Sequence, residues 1–497
     1  MMSTSWRAAW GFWAWAAPLA ITMIALPIMV RTIGTAHFGV LILALATPVY
    51  AGHFDFGMIA SATRDFAHHV DEPAILRSLA RAYLLRLAVV GTTLGAAIAV
   101  AAWPIAHVLG FSSTLGADRS GNLVLLCASW FAVSTVAALP GALVRAQQRM
   151  AVLMVVQTIS TALNWGLGLA MLLLGVGIEA VVWLGIALTV ASSLVFMSVS
   201  WSILGQGPTV RAAPSSLKFS LTIFGGQIAS FGAYHADKLV IATLISPAAA
   251  GVYALAVNLT SKVMGGAQAL TSFALPQAAG LFARADRHGR DSLYWVLNRA
   301  LVLFCMPTVV PAFALASSFY ALWLHGTPDA TMVDVFRVLW LGYVLGAFSI
   351  PGSYLLIGAG RATLPSTFAW VTAGTAIALQ VVLIPAVGLV GAGVAVAVGL
   401  SSSLLFDYAA RRNLRIGRDP SAKKFLAGAI IGVAFQIAIA WALPNPEDWI
   451  AWIVQALTLL SVFFLSRAVC GVLGPEESRL MSRAWQHMVS LLATRKG

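Results

Sequence analysis

Charge is what this chain has least of. Only 9% of its 497 residues are Asp, Glu, Lys or Arg, against about 25% in a soluble globular protein, so the body of the molecule is not a water-soluble domain. Cysteine is scarce as well. Cys127, Cys305 and Cys470 are dispersed in or beside apolar runs and form no metal-ligand spacing, which leaves them as inert packing residues. Phosphate-binding glycine loops of the Walker type, His-Glu-x-x-His and Gly-x-Ser-x-Gly are all missing. The chain is therefore not by itself an ATP-driven pump, and no catalytic constellation, resident metal or cofactor is expected.

What it has instead is apolar length. Hydrophobic residues make up 60% of the sequence, in recurring runs of roughly 20 or more, each enough to cross a hydrocarbon core about 30 Å thick as a helix. Helices satisfy every backbone group internally, and the runs lack the alternation of barrel strands. The expected fold is an all-α polytopic membrane protein of about fourteen transmembrane helices. The first lies near Ala9 to Val30, too long for the apolar core of a signal peptide. The second falls at 39–61, the seventh at 219–245, the eighth at 249–275 and the last at 449–470.

Acidic residues are outnumbered 17 to 30, for a formal charge of +13. The surplus sits in short connectors between spans and reads as topology signal facing anionic lipid, with no nucleic-acid partner. With the N-terminus inside, nearly all loop Lys and Arg fall on the cytoplasmic side, whereas Arg31 and Arg119 fall outside beside Asp118, Glu179, Asp329, Asp334, Glu447 and Asp448. Both termini are expected to be cytoplasmic. The external loops are short, which disfavours a membrane polymerase or acyltransferase. After Gly474 the tail places Met481, Ala484, Trp485, Met488 and Leu492 on one helical face, suited to lying on the inner leaflet.

The sequence also repeats. Gly39-Val40 with Leu43-Ala44 matches Gly251-Val252 with Leu255-Ala256 at a shift of 212 residues. Leu139-Pro140-Gly141 matches Ile350-Pro351-Gly352, Val176-Gly177-Ile178 matches Val387-Gly388-Leu389, and Ser192 and Leu194 match Ser403 and Leu405, all at 211. An even number of spans per copy makes the copies parallel. The expected organisation is an N-terminal six-helix lobe (1–205), a cytoplasmic linker (206–218), a C-terminal six-helix lobe (219–412), two further helices (413–472) and a basic amphipathic tail (473–497).

Candidate site residues are the polar groups inside spans, where ionisable side chains are costly. Span 7 carries His235, Asp237 and Lys238. Sequence neighbours on a helix point about 100° apart, so Asp237 and Lys238 are not expected to pair with each other. Lys262 lies deep in span 8, while Arg299 and Arg337 read as interfacial topology residues. Asp55, beside His53 in span 2, is either a carboxyl that locks helix packing or a proton- or cation-coupling group. Asn164, Gln157, Gln227, Asn258 and Gln268 suit sugar hydroxyls and interhelical hydrogen bonds equally. Many of the 17 tryptophans fall at span ends as an interfacial belt, but Trp165 and Trp370 lie deeper.

The run from Arg31 to Val40, then Phe54-Asp55-Phe56-Gly57 and Arg64, resembles the start of the polysaccharide transporter family. These are the Wzx-type flippases of the multidrug/oligosaccharidyl-lipid/polysaccharide (MOP) superfamily. Asp237 to Ile241, Ala250 to Leu255, and Leu275-Pro276 extend the resemblance through roughly 9–412. It implies a MATE-like architecture and translocation of a polyprenyl-diphosphate-linked oligosaccharide, an O-antigen, capsule or exopolysaccharide unit, across a bacterial inner membrane. It further implies dealings with polysaccharide polymerase and glycosyltransferases, membrane lipids around the lobes, and a coupling ion, H+ or Na+. Lys238, Lys262, Arg31, Asp237, Asn258 and Gln227 would then line the cavity, and Asp55, His53 and His235 would couple or lock it. A cation-coupled multidrug exporter is the alternative, and the cationic excess within the spans argues against it.

Overall fold

The computed structural model describes residues 4–204, 214, 217–271, 274–326, 329–361 and 363–470, with side chains from residue 20 onward. The expected amphipathic tail lies outside the described residues, as does most of the linker. Among the described residues every regular element is a helix. Ten helices among the described residues are long and apolar enough to cross a membrane. A continuous-helix count is sensitive to breaks: Thr363–Leu414 has 52 residues and would extend about 78 Å if straight, far beyond one crossing. It turns at Gly388, where φ is 64°. Thr4–Leu45 breaks likewise at Gly34, while Leu217–Tyr234 and Ala236–Leu244, and Pro247–Thr271 and Ala274–Ala283, are interrupted pairs.

The chain forms two compact units. One comprises Met1–Ala269, Asp334–Gly342 and Ser366–Ser402, and the other Leu270–Val333, Tyr343–Pro365 and Ser403–Gly497. In lipid there is little hydrophobic gain from pressing one apolar helix on another, so close backbone approach through small residues does the work. In the first unit Gly91 and Gly95, four apart, lie on one face of Pro73–Val100. A Cβ on either would stand 3.0 Å from the carbonyl oxygen of Ala132 or Ala128 in Ala117–Ala146.

Positions paired by the repeat share local structure. Gly177 and Gly388 both take positive φ, 104° and 64°, a region open to glycine at little cost. Gly39 and Gly251, also repeat mates, press directly on each other. A Cβ at Gly39 would lie 1.8 Å from the carbonyl oxygen of Pro247, and one at Gly251 would lie 2.8 Å from that of Thr35 and 2.9 Å from Gly39 N. Thr35 and Pro247 are themselves 212 apart. Reciprocal contacts of this kind, i with j′ and j with i′, are the mark of a two-fold relation, so a local pseudo-two-fold axis passes between Gly39 and Gly251.

In the second unit a proline defect is repaired from a neighbouring helix. Pro311 inside Arg287–Ala314 has no N–H to give, which frees the carbonyl of Pro307 four residues earlier. The fully buried Gln436, from Ala422–Ala442, donates its amide to that oxygen at 2.8 Å and to the Leu459 carbonyl at 2.9 Å.

Candidate functional site

Two backbone breaks meet in the first unit. Span 2 is interrupted after Thr47–His53, where Phe56 and Gly57 adopt positive φ before Met58–His68 begins. Asp55 holds this break. Its Oδ1 accepts from Gly57 N at 2.8 Å and its Oδ2 from Ile59 N at 2.9 Å, so one carboxylate serves two of the unpaired N–H groups at a helix start. The side chain is 1% exposed. This is the geometry of a helix lock, with both oxygens occupied.

The second break separates Leu217–Tyr234 from Ala236–Leu244 at His235, whose φ of −133° is not helical. The two breaks face each other. Gln227 Nε2 donates to the Gly52 carbonyl at 3.3 Å, the Ser61 and Ser220 hydroxyls lie 2.8 Å apart, and Arg64 covers the Phe219 ring at 4.4 Å. The His53 and His235 rings meet edge to face at 4.9 Å, flanked by Phe231. An apolar cavity of about 560 Å³ adjoins this cluster, lined in part by Thr47, Tyr50, Phe54, Cys127, Phe231 and Leu239.

Two sequence-based expectations are corrected here. Asp237 and Lys238 do pair: Lys238 Nζ and backbone N both approach Asp237 Oδ1, at 3.2 and 2.8 Å. The two residues sit in the first turn after the break, where the carboxylate folds back on free N–H groups and the long lysine chain can follow it. The 100° rule describes side chains leaving a helix interior. Arg299, expected to reach headgroups, instead pairs with Asp419 and Ser421. Arg337 pairs with Asp334 at 3.3 Å, one turn earlier. Trp370 is 48% exposed.

Lys262 differs from these. Among the described residues it has no ion pair, and it occupies the less buried face of Pro247–Thr271 together with Asn258, Ser261 and Gln268. Asn258 donates to the Ala254 carbonyl on its own helix at 2.8 Å, leaving its side-chain oxygen available. Arg31 lies exposed at the Gly34 break. The short contacts above join His53 to His235 and Gln227 to the Gly52 carbonyl beside the break that Asp55 holds, and they do not extend to Lys262, Asn258 or Arg31.

Sequence reasoning passed over two buried tyrosine–carboxylate pairs. Tyr83 donates to Asp65 at 2.6 Å, and Tyr294 donates to Asp407, which Arg411 also meets at 3.2 Å. Tyr83 and Tyr294 stand 211 residues apart, so the repeat spacing marks the two tyrosines but not their carboxylate partners.

This helix arrangement is shared with solved structures of transporters of the MOP superfamily. The lipid II flippase MurJ in an inward closed conformation superposes with a TM-score of 0.68 at 12% identity, covering 93% of this chain and 97% of its own. An inward-facing multidrug resistance MATE transporter gives 0.60 at 14% identity over 82% and 98%. A MOP superfamily transporter from Pyrococcus furiosus gives 0.52 at 13% over 81% and 95%. No curated relative matches the chain. Residues 77–325 match the family described as polysaccharide biosynthesis protein, and the chain belongs to that family.

Proposed function

We propose that this protein is a flippase that carries a polyprenyl-diphosphate-linked oligosaccharide across a bacterial inner membrane by alternating access, with both termini in the cytoplasm. The observation that carries the reading is Lys262, a half-buried cation without a counter-ion among the described residues. An uncompensated ammonium at membrane depth is expensive. It becomes favourable when an anionic diphosphate arrives, because the attraction between opposite charges grows as water is excluded. Asn258, Ser261 and Gln268 on the same face supply neutral groups for sugar hydroxyls. Lys238 is a weaker contributor than Lys262, since Asp237 already compensates its charge.

Family membership and the MOP fold support this reading, and the substrate is inferred from the chemistry of the lysine. The test is complementation of a deletion strain, scoring surface polysaccharide and the sidedness of lipid-linked repeat units. Lys262→Gln is expected to leave the units facing the cytoplasm while Lys262→Arg retains partial export, with membrane insertion normal in both. Full polymer output from Lys262→Gln, in a strain with no second flippase, sinks the proposal.

A further inference from the structure

The second unit contains a cavity of about 590 Å³ whose lining includes Arg287, Arg290, Arg361 and Arg415, with Phe282 and Asn413. Four arginines line it, and none of them has a carboxylate within ion-pair distance among the described residues. The acidic side chains nearest in sequence are turned to other work. Asp286 caps its own helix by accepting from Gly289 N at 2.8 Å, and Asp291 lies against Gly417.

Three of the arginines are held in place, by neutral partners. Arg361 Nη1 donates to Asn413 Oδ1 at 2.9 Å, Arg287 Nη2 to the Arg415 carbonyl at 3.4 Å, and Arg290 Nε to the Asp286 carbonyl at 3.2 Å. The Arg290 guanidinium also lies 4.7 Å from the Phe282 ring centroid. Each guanidinium carries five donors, so these bonds orient the forks and leave donors and full charge unspent. Partial negative charge from helix C-termini is only about half an electron at each end. That does not neutralise the group.

The cluster is not part of the shared scaffold. At the repeat shift of 211, Arg287 and Arg290 correspond to Leu76 and Leu79, which are buried in an apolar core beside Tyr83. The first copy therefore packs leucine where the second gathers arginine. Packing alone asks for the leucines. All four arginines lie in the first turn of a helix or just past a helix end, in stretches that the charge distribution assigns to the cytoplasmic side.

We propose that this cavity binds the phosphoryl headgroup of a membrane lipid at the inner-leaflet surface. Oriented guanidinium forks match phosphate oxygens two at a time, and basic pockets between spans on the cytoplasmic side are suited to anionic headgroups. An anionic bilayer lipid in this cavity is independent of what the protein transports, whereas a carrier diphosphate there rests on the proposed function. Two sources share the chemistry, an anionic phospholipid of the bilayer and a polyprenyl diphosphate.

The full chain, purified in detergent, is titrated separately with dioleoyl phosphatidylglycerol, a polyprenyl diphosphate and dioleoyl phosphatidylcholine, and bound lipid is counted by native mass spectrometry. At least one of the two anionic lipids is expected to be retained about tenfold better than phosphatidylcholine. Phosphatidylglycerol retention identifies a bilayer-lipid site, and retention of the diphosphate alone identifies a carrier-headgroup site. Combining Arg287→Gln with Arg361→Gln is expected to cut retention roughly tenfold. The charge-matched pair Arg412→Gln and Arg418→Gln, exposed and outside the lining, is expected to change it less than about twofold. Equal retention of phosphatidylcholine, or equal losses in the two double variants, overturns the proposal. A monodisperse elution profile for each variant guards against reading a folding defect as lost binding.

Discussion

The reciprocal contact between Gly39 and Gly251 predicts a graded response to the smallest possible perturbation. Gly39→Ala adds one methyl group that would stand 1.8 Å from the Pro247 carbonyl oxygen and 2.6 Å from its carbon. These are backbone atoms, so no side chain can rotate away, and the two segments must part by about 1.6 Å to restore ordinary contact at 3.4 Å. Overpacking a close helix contact costs about 1–3 kcal/mol, offset by less than about 1 kcal/mol from the better helix propensity of alanine. Gly251→Ala meets backbone atoms at 2.8 to 3.0 Å and needs a smaller separation of about 0.6 Å to reach the same 3.4 Å. Gly166→Ala has nothing within 4 Å and keeps only the propensity gain. Thermal unfolding in detergent, followed by a thiol-reactive dye or by intrinsic fluorescence, should order the variants as Gly166→Ala above wild type, then Gly251→Ala, then Gly39→Ala. If Gly39→Ala melts with Gly166→Ala, the close approach at the pseudo-two-fold axis is wrong.

Other positions give independent checks. Gln436→Leu keeps the volume but strips the donor from the Pro307 carbonyl, and an unpaired buried acceptor should cost about 1–3 kcal/mol, read as a lower denaturation midpoint; pairing it with Pro311→Ala, which lets the helix satisfy that carbonyl itself, should recover part of the loss. Tyr294→Phe removes the donor to Asp407 while leaving Arg411 in place, so its destabilisation should shrink when Asp407→Asn is added; two strictly additive losses would show the pair to be uncoupled. Asp419 lies between helices. Burial alone would raise its carboxyl, but hydrogen bonds from Ser421 and the Arg299 guanidinium outweigh burial and hold it below the ordinary range. A carboxyl depressed in the folded state stabilises above the unfolded value of about 3.9 and loses that contribution as pH falls through its folded value. The stability gap between wild type and Asp419→Asn should therefore be full near neutrality and close below about pH 4; a gap that widens in acid would contradict the assignment.

Much of the architecture was legible in the chain because lipid leaves few choices. Long apolar runs with little charge must be helices, since no other spanning form is compatible with that pattern. The repeat was legible too, through glycines and prolines whose backbone roles survive when side chains diverge: Gly39 with Gly251, Gly177 with Gly388. The candidate site was legible only as a list of polar residues. Asp55 stood out as a costly group in an apolar run, and the same signal fits a coupling carboxylate or a helix lock. Only the positions of Gly57 N and Ile59 N show that both oxygens are occupied.

Sequence periodicity by itself thus determined the helical membrane fold, the duplication and the uneven charge of the loops, all of which follow from local spacing and composition. Tertiary structure decided which cations are compensated. Asp237 claims Lys238 because a backbone break puts both in a first helical turn, Asp419 claims Arg299 across 120 residues, and Lys262 has no counter-ion among the described residues. It also gathered Arg287, Arg290, Arg361 and Arg415 into one cavity from three separate stretches of chain. Electrostatic pairing depends on distance in space, and spacing along a chain does not encode that distance once helices break and pack.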